Sequence, residues 1–311
     1  MEIISNITEL SLKGSSVALG KFDGVHLGHQ AIIEELKREN TGGKKIVITF
    51  SVSPQSLLSG IKGSYLMTEK EKIDYFETMG IDALIDIKLT REFLNCTAEQ
   101  FVQDMLVEHL GIKKLVCGRE FRFGKGRAGN VELLRKLGER YGFATGVVPP
   151  VMLGEERVSS TRIRKALIDG NLDLVNRMLG RPYGISGIVR HGRALGRTMD
   201  FPTVNLIPDE EKILPPLGVY RSECSAFGQK YPSVTNIGKK PTVGDHENVT
   251  VETHLLDYAG DLYGQEITVE LLSYLRPEKK FDSLEALKKQ IRTDVHVCRG
   301  LTDFVEKTNN A

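Results

Sequence analysis

The sequence predicts two domains of different class: an α/β domain on a parallel sheet, then a small antiparallel β-barrel with a terminal helix. Three observations predict this. From the N-terminus to about Gly180, short apolar runs alternate with amphipathic helical stretches. From about Arg181 the texture turns rich in Gly and Pro, with β-branched runs at close spacing, the pattern of an antiparallel barrel. One more helical stretch, "DSLEALKKQI", follows the last of those runs. The boundary therefore lies near Gly180–Tyr183 and divides the chain into 1–182 and 183–311.

In order, "SSVALG" reads as a strand and "HQAIIEELKREN" as a helix with Ile32, Ile33 and Leu36 on one face. "KKIVITF" is dense in β-branched residues, as a buried parallel strand requires. "TEKEKIDYFETMG" is a helix ended by Gly80, and "IDALIDI" a strand. "TAEQFVQDMLVEHLG" opens on a capping box, Thr97 to Gln100, and closes at Gly111. "IKKLVCG", "NVELLRKLGERYG" and "FATGVVPP" continue as strand, helix and strand, followed by two helices, "SSTRIRKALIDG" and "NLDLVNRMLG". The barrel strands are "YGISGIVR", "TVNLIP", "GVYRSEC", "YPSVTNIG", "VTVETHLLD" and "EITVELLSYLR". The closing helix carries a second capping box, Asp282 to Glu285.

Composition excludes several classes. A length of 311 residues suits two domains, and 40% hydrophobic with 27% charged residues is ordinary for a soluble globular protein. The longest apolar runs are too short to span a bilayer, and "MEIISNITEL" lacks the basic start and apolar core of a signal peptide. The chain reads as cytoplasmic, without membrane association. A net charge of +1 argues against nucleic acid as a partner. Cys96, Cys117, Cys224 and Cys298 are isolated, so neither a zinc site nor a disulfide framework is indicated. Oligomeric state is not legible.

Chemistry concentrates in a few stretches. "GKFDGVHLGHQ" follows a strand and opens a helix, so backbone N–H groups and the positive helix end face whatever binds there. Gly20, Gly24 and Gly28 permit close approach of a ligand, and His26 and His29 add donors for phosphate oxygens. Alone, the same residues also describe a capped turn with two solvated histidines. "VCGREFRFGKGRAGN" mixes basic residues with Phe121 and Phe123, as a loop over a nucleotide and an aromatic partner or as a basic surface loop. In "RVSSTRIRKAL", Ser160 or Thr161 can cap a helix whose start is crowded by Arg157, Arg162 and Arg164. Cations there oppose the dipole, and a bound polyphosphate would resolve the conflict. In the second half, "PTVN" offers Thr203 and Asn205 as hard oxygen donors of the kind Mg²⁺ prefers. Glu252 and His254 share one strand face, where a carboxylate could serve as general base toward a hydroxyl or simply face solvent.

HxGH at the first strand-to-helix turn with a later "SSTRIR" resembles the nucleotidyltransferase superfamily, which transfers a nucleoside monophosphate and releases pyrophosphate. More narrowly, "GKFDGVHLGH", "GREFRFGKGRAG" and "SSTRIRKAL", then "HGRALGR", "FPTVNL", "NIGKKPT", "VETHLLD", "GDLYG" and "LRPEKKF", resemble the bacterial bifunctional riboflavin kinase/FMN adenylyltransferase family in order, over about Ser15 to Arg299. The resemblance implies a Rossmann-like nucleotidyltransferase domain and a riboflavin kinase-like barrel. It implies ATP as co-substrate, Mg²⁺, and riboflavin, FMN and FAD as substrates or products. His26 and His29 would stabilise the transition state at the α-phosphorus, with Gly20, Phe22, Asp23, Gly24 and Gly28 around the nucleotide. Arg157, Ser160, Thr161 and Arg164 would clamp the departing phosphates, and Phe121 and Phe123 would face flavin. In the barrel, Glu252 would take the ribityl hydroxyl proton, and Thr203 and Asn205 would hold the metal. Gly187, His191, Gly192 and Gly196 would shape the ATP loop, and Arg276 and Arg299 the flavin end.

The sequence departs from the family pattern in three places. "TFSVSP" has Ser51, Val52 and Ser53 where an acid, a proline and a basic residue are usual. Glu120 replaces Asp or Asn before "FRFG", and Asp200 replaces a glycine before "FPT". These departures leave open a chain with one activity, the kinase, or a non-catalytic flavin- or nucleotide-binding descendant.

Overall fold

In the computed structural model the described residues are 1–4, 7, 12–38, 42–50, 65–190, 201–240 and 248–309, with side chains excluded at 240, 248 and 301–309. The chain divides into two compact units, Met1–Ser160 and Thr161–Ala311.

The first unit runs β1 (Glu2–Ile4), β2 (Ser16–Leu19), α1 (Leu27–Lys37), β3 (Lys45–Phe50), α2 (Glu69–Thr78), β4 (Ala83–Ile87) and α3 (Arg91–Asn95). It continues with α4 (Ala98–Gln100), which widens into a π-helical stretch, Phe101–His109, then β5 (Lys114–Gly118), α5 (Val131–Tyr141) and β6 (Ala144–Val148). A short hairpin follows, β7 (Met152–Leu153) and β8 (Glu156–Arg157). Six strands form one parallel sheet in the order β1-β4-β3-β2-β5-β6. The two faces alternate residue by residue. Val17, Leu19, Ile46 and Ile48 pack with Phe101, Leu106, Leu134 and Leu137 on one side. Ala18, Val47 and Leu84 pack with Ile33, Leu36 and Phe76 on the other. Burial on both faces is why these strands are nearly all apolar.

The winding reverses next to β2. From β2 the sheet grows through β3 to β4, then the chain returns to place β5 on the other side of β2, with Leu19 opposite Cys117. In an open parallel sheet, ligands bind outside the carboxyl ends at such a reversal. The segments that follow β2 and β5 are "GKFDGVHLGH" and "REFRFG". The capping box at Thr97 forms as the sequence predicts, and Gly80 and Gly111 take the left-handed conformation expected of helix ends.

α6 (Ser160–Ile168) crosses the division between the units, and α7 (Leu172–Leu179) lies in the second. The second unit continues with β9 (Tyr183–Ile188), β10 (Val204–Leu206), β11 (Gly218–Ala226), β12 (Gln229–Lys240), β13 (Asn248–Leu255), β14 (Glu266–Arg276) and α8 (Leu284–Asn309). The six strands pair antiparallel in the order β10-β13-β12-β11-β14-β9. An antiparallel bridge, Arg190 to Asn205, joins the chain just past β9 to β10, so the two edge strands meet and the sheet curls into a barrel. Its interior holds Tyr220, Cys224, Ile237, Val251 and Leu255 together with a chain of buried hydroxyls, Ser222, Ser233, Thr235 and Thr253. These hydroxyls satisfy one another at 2.7–2.9 Å, the condition for burying them cheaply. Val219 and Val234 on the outer face pack with Cys298 of α8.

Two local expectations are corrected. Ser160 is the first residue of α6 and not its cap; its hydroxyl donates to the Asp23 carbonyl instead. At α8 the expected box from Asp282 gives way to Ser283, whose hydroxyl accepts from the Ala286 N–H, because the helix begins one residue later at Leu284. Thiol chemistry is suppressed by burial, which raises Cys117 and Cys224 to about 12 and Cys298 to about 11.

Candidate active sites

The loop between β2 and α1 is a strained turn held from several sides. Phe22 (φ 47°), Gly24 (φ 80°) and Val25 (φ 36°) all lie in the left-handed region, which a β-branched residue such as Val25 rarely enters. Such backbone persists only where its surroundings over-determine it. Here the Thr49 hydroxyl at the end of β3 donates to the Lys21 carbonyl (3.0 Å), and Gln30 Nε2 donates to the Val25 carbonyl (2.9 Å). The Asp23 carboxylate, 1% exposed, accepts the Leu66 N–H (2.9 Å), while its own carbonyl accepts the Ser160 hydroxyl (2.9 Å). Lys72 lies buried beneath, with Asp23 and Asp86 as nearby countercharges; burial lowers its pKa.

His26 caps α1. Its Nδ1 accepts the His29 N–H at 3.4 Å, which leaves the ring proton on Nε2 in the neutral form. The two imidazoles stack with centroids 3.7 Å apart and planes 14° apart, and Phe22 backs His29 at 5.2 Å. A Cβ on Gly28 would lie 3.2 Å from the His26 ring, so glycine at that position lets the ring lie over the helix start. Gly20 directly follows β2 at the start of this loop. Seven of the predicted residues, Gly20 to His29, thus converge on one helix N-terminus.

Phe121 and Phe123, in the loop after β5, end a row of rings. Phe50 contacts Phe93, Phe93 contacts Phe101, Phe101 contacts Phe123, and Phe123 stacks on Phe121 at 5.7 Å. The row runs from the carboxyl end of β3 to the carboxyl end of β5. Glu120 pairs with Arg157, which β8 presents. Thr161 is exposed and Arg164 half-buried in the first turns of α6. Residues 51–53 lie outside the described residues.

In the barrel, register brings together what the sequence separates. Asn205 of β10 is the cross-strand partner of Glu252 on β13, and Glu252 is in turn the partner of Asn236 on β12. Cross-strand partners share a face with Cβ atoms about 5 Å apart. Thr203, two residues before Asn205, lines a cleft of about 250 Å³ with Val189, Leu255, Tyr258, Asp261 and Tyr263. His254 Nδ1 bonds the Pro202 carbonyl at 2.8 Å, and its ring meets Phe201 edge-on. The donor set of hydroxyl, amide and carboxylate oxygens fits a hard divalent cation.

Two predicted flavin contacts are engaged within the protein. Arg276 makes a two-pronged pair with the buried Asp294 of α8, with bonds of 2.8–3.2 Å, and Gln290 supports the same carboxylate. Arg299 bonds Asp257 at 2.6 Å in the turn after β13. Gly187 lies within β9, while His191, Gly192, Gly196 and Asp200 lie outside the described residues. Sequence reasoning passed over Lys72, Asn236, Glu278 and Asp294 as individual residues, while Thr49 lies in the "TFSVSP" stretch it singled out.

Comparison with known proteins bears on both halves. The model of the FAD synthetase family matches residues 8–162, and that of the riboflavin kinase family matches residues 179–302. The bifunctional riboflavin kinase/FMN adenylyltransferase of Escherichia coli (strain K12) is 41% identical over 96% of this chain and 97% of its own length. Its Haemophilus influenzae namesake is 37% identical over 93% and 94%. A crystal structure of a protein named macrolide-efflux protein, from Streptococcus pneumoniae, superposes with a TM-score of 0.84 at 30% identity, covering 96% of this chain and 98% of that one. Among the described residues no helix is long and apolar enough to cross a membrane. With a strained HxGH loop in one unit, an Asn–Glu register in the other and full-length relatives matching both, the chain belongs to the bifunctional riboflavin kinase/FMN adenylyltransferase family.

Proposed function

We propose that this chain phosphorylates riboflavin to FMN in its barrel and adenylylates FMN to FAD in its α/β half, both with ATP, in the cytoplasm. We assign the second reaction to residues 1–182 and the first to 183–311. The observation that carries the reading is the placing of Glu252 directly across from Asn205, because a proton acceptor beside phosphate-handling oxygens is what transfer to a hydroxyl needs.

In the kinase reaction, Glu252 accepts the proton of the ribityl 5′-hydroxyl as that oxygen attacks the γ-phosphorus, and ADP leaves. Thr203 and Asn205 would hold Mg²⁺, which supplies charge neutralisation at the phosphates. The cleft beside Thr203 receives the nucleotide.

In the adenylyl transfer, the first-turn N–H groups of α1 and the imidazoles of His26 and His29 bind the triphosphate and meet charge developing at the α-phosphorus. Arg157, Thr161 and Arg164 hold the β- and γ-phosphates, which leave as pyrophosphate. Ser160 acts by fixing the Asp23 carbonyl. The attacking FMN phosphate is already anionic and needs no strong base. The row ending in Phe121 and Phe123 gives the isoalloxazine an apolar wall.

Two variants separate the reactions. Glu252→Gln should make FAD from supplied FMN but lose at least a hundredfold in FMN formation from riboflavin. His29→Ala should stop at FMN. A wild-type protein that forms neither product from riboflavin, ATP and Mg²⁺ contradicts the reading.

A further inference from the structure

The connection between β14 and α8, "PEKKF", runs from Pro277 to Phe281 and is fastened at its start by the Arg276–Asp294 pair. Farther along, the Phe281 ring has the Arg276 guanidinium and the Lys279 ammonium each 5.9 Å from its centre. Glu278 between them reaches back to β12. Its Oε1 accepts a hydrogen bond from Asn236 Nδ2 at 3.2 Å. It also occupies the space over Gly238, where a Cβ would lie 2.1 Å from Oε1. Asn236 and Gly238 are two apart on β12 and so share a face, and Asn236 is the cross-strand partner of Glu252.

We propose that Glu278 is a positioning residue for phosphoryl transfer, acting through Asn236 on the neighbouring Glu252. The inference rests on the reading of Glu252 as the proton acceptor. An asparagine amide beside a carboxylate has two faces, one donating and one accepting. The bond to Glu278 commits one Nδ2 N–H and fixes which way the amide faces. Without Glu278 the amide is free to turn and give its N–H to Glu252, occupying a lone pair that must receive the hydroxyl proton and making the carboxylate a weaker base. Glutamine at 278 would still accept from Asn236; alanine would not. Gly238→Ala breaks the same bond by contact, since its Cβ would lie 2.1 Å from Glu278 Oε1 and 3.0 Å from Asn236 Nδ2; both are ends of flexible side chains, so the fold should tolerate it.

The test measures both reactions on the full chain. Glu278→Ala and Gly238→Ala should each lower kcat for riboflavin phosphorylation about tenfold, with KM for ATP, FAD formation from FMN and Tm unchanged. Glu278→Gln should stay within about twofold of wild type. An unchanged kcat in Glu278→Ala, a glutamine variant as impaired as alanine, or a parallel loss of adenylyl transfer and Tm overturns the proposal. Glu252→Gln run alongside separates the two failures: if it keeps phosphoryl transfer, the assignment of the base is wrong whatever Glu278 does.

Discussion

At the residue scale, the proposed role of Arg157 at the triphosphate meets a competitor, since Glu120 pairs with it. The pair is exposed on both sides, 54% for Arg157 and 65% for Glu120, so its own worth is about 1 kcal/mol or less. A triphosphate that recruits Arg157 must displace this carboxylate and tolerate its charge. Glu120→Gln should therefore lower KM for ATP in adenylyl transfer by up to about fivefold, the factor that 1 kcal/mol corresponds to. Riboflavin phosphorylation and Tm should not change; initial rates against ATP concentration check this, and a raised KM would mean that Glu120 orients Arg157 productively.

At the scale of elements, the two sites depend on different devices. The proposed adenylyl-transfer site uses the N-terminus of α1, and Gly28→Ala should separate stability from activity there. Alanine in a helix is favoured over glycine by about 1 kcal/mol, yet its Cβ would press the His26 ring. The variant should melt no lower than wild type and form FAD at least tenfold more slowly; thermal melts and FAD assays report the two effects separately. α8 grips the end of β14 through Arg276 and Asp294, beside the proposed kinase site. Asp294→Asn leaves Arg276 without its charge partner in a largely buried pair, so the variant should lose about 3 kcal/mol in urea unfolding, with kinase activity falling more than adenylyl transfer. Replacing both partners, Arg276→Met with Asp294→Leu, should recover much of that stability. The elements themselves were legible because alternation, capping residues and glycine stops are local signals: six barrel runs became six strands, and the HxGH segment became the cap and first turn of α1. What stayed hidden is set by register between distant strands. Nothing near Asn236 announces that it lies opposite Glu252, and nothing near Ser160 announces that its hydroxyl is spent on Asp23. Buried charges such as Lys72 and Asp294 read as ordinary polar positions on amphipathic helices, since the partners that justify their burial are far along the chain.

At the scale of the whole molecule, one chain carries two reactions, the FMN made by one being the substrate of the other. The most direct measurement follows phosphorus. Purified protein is given riboflavin, Mg²⁺ and ATP labelled at either the γ- or the α-phosphorus, and the flavins are separated and counted. γ-Label should appear in FMN and be carried into FAD, while α-label should appear in FAD alone. Absence of γ-label from FMN, or of α-label from FAD while FMN accumulates, would contradict the two-reaction scheme.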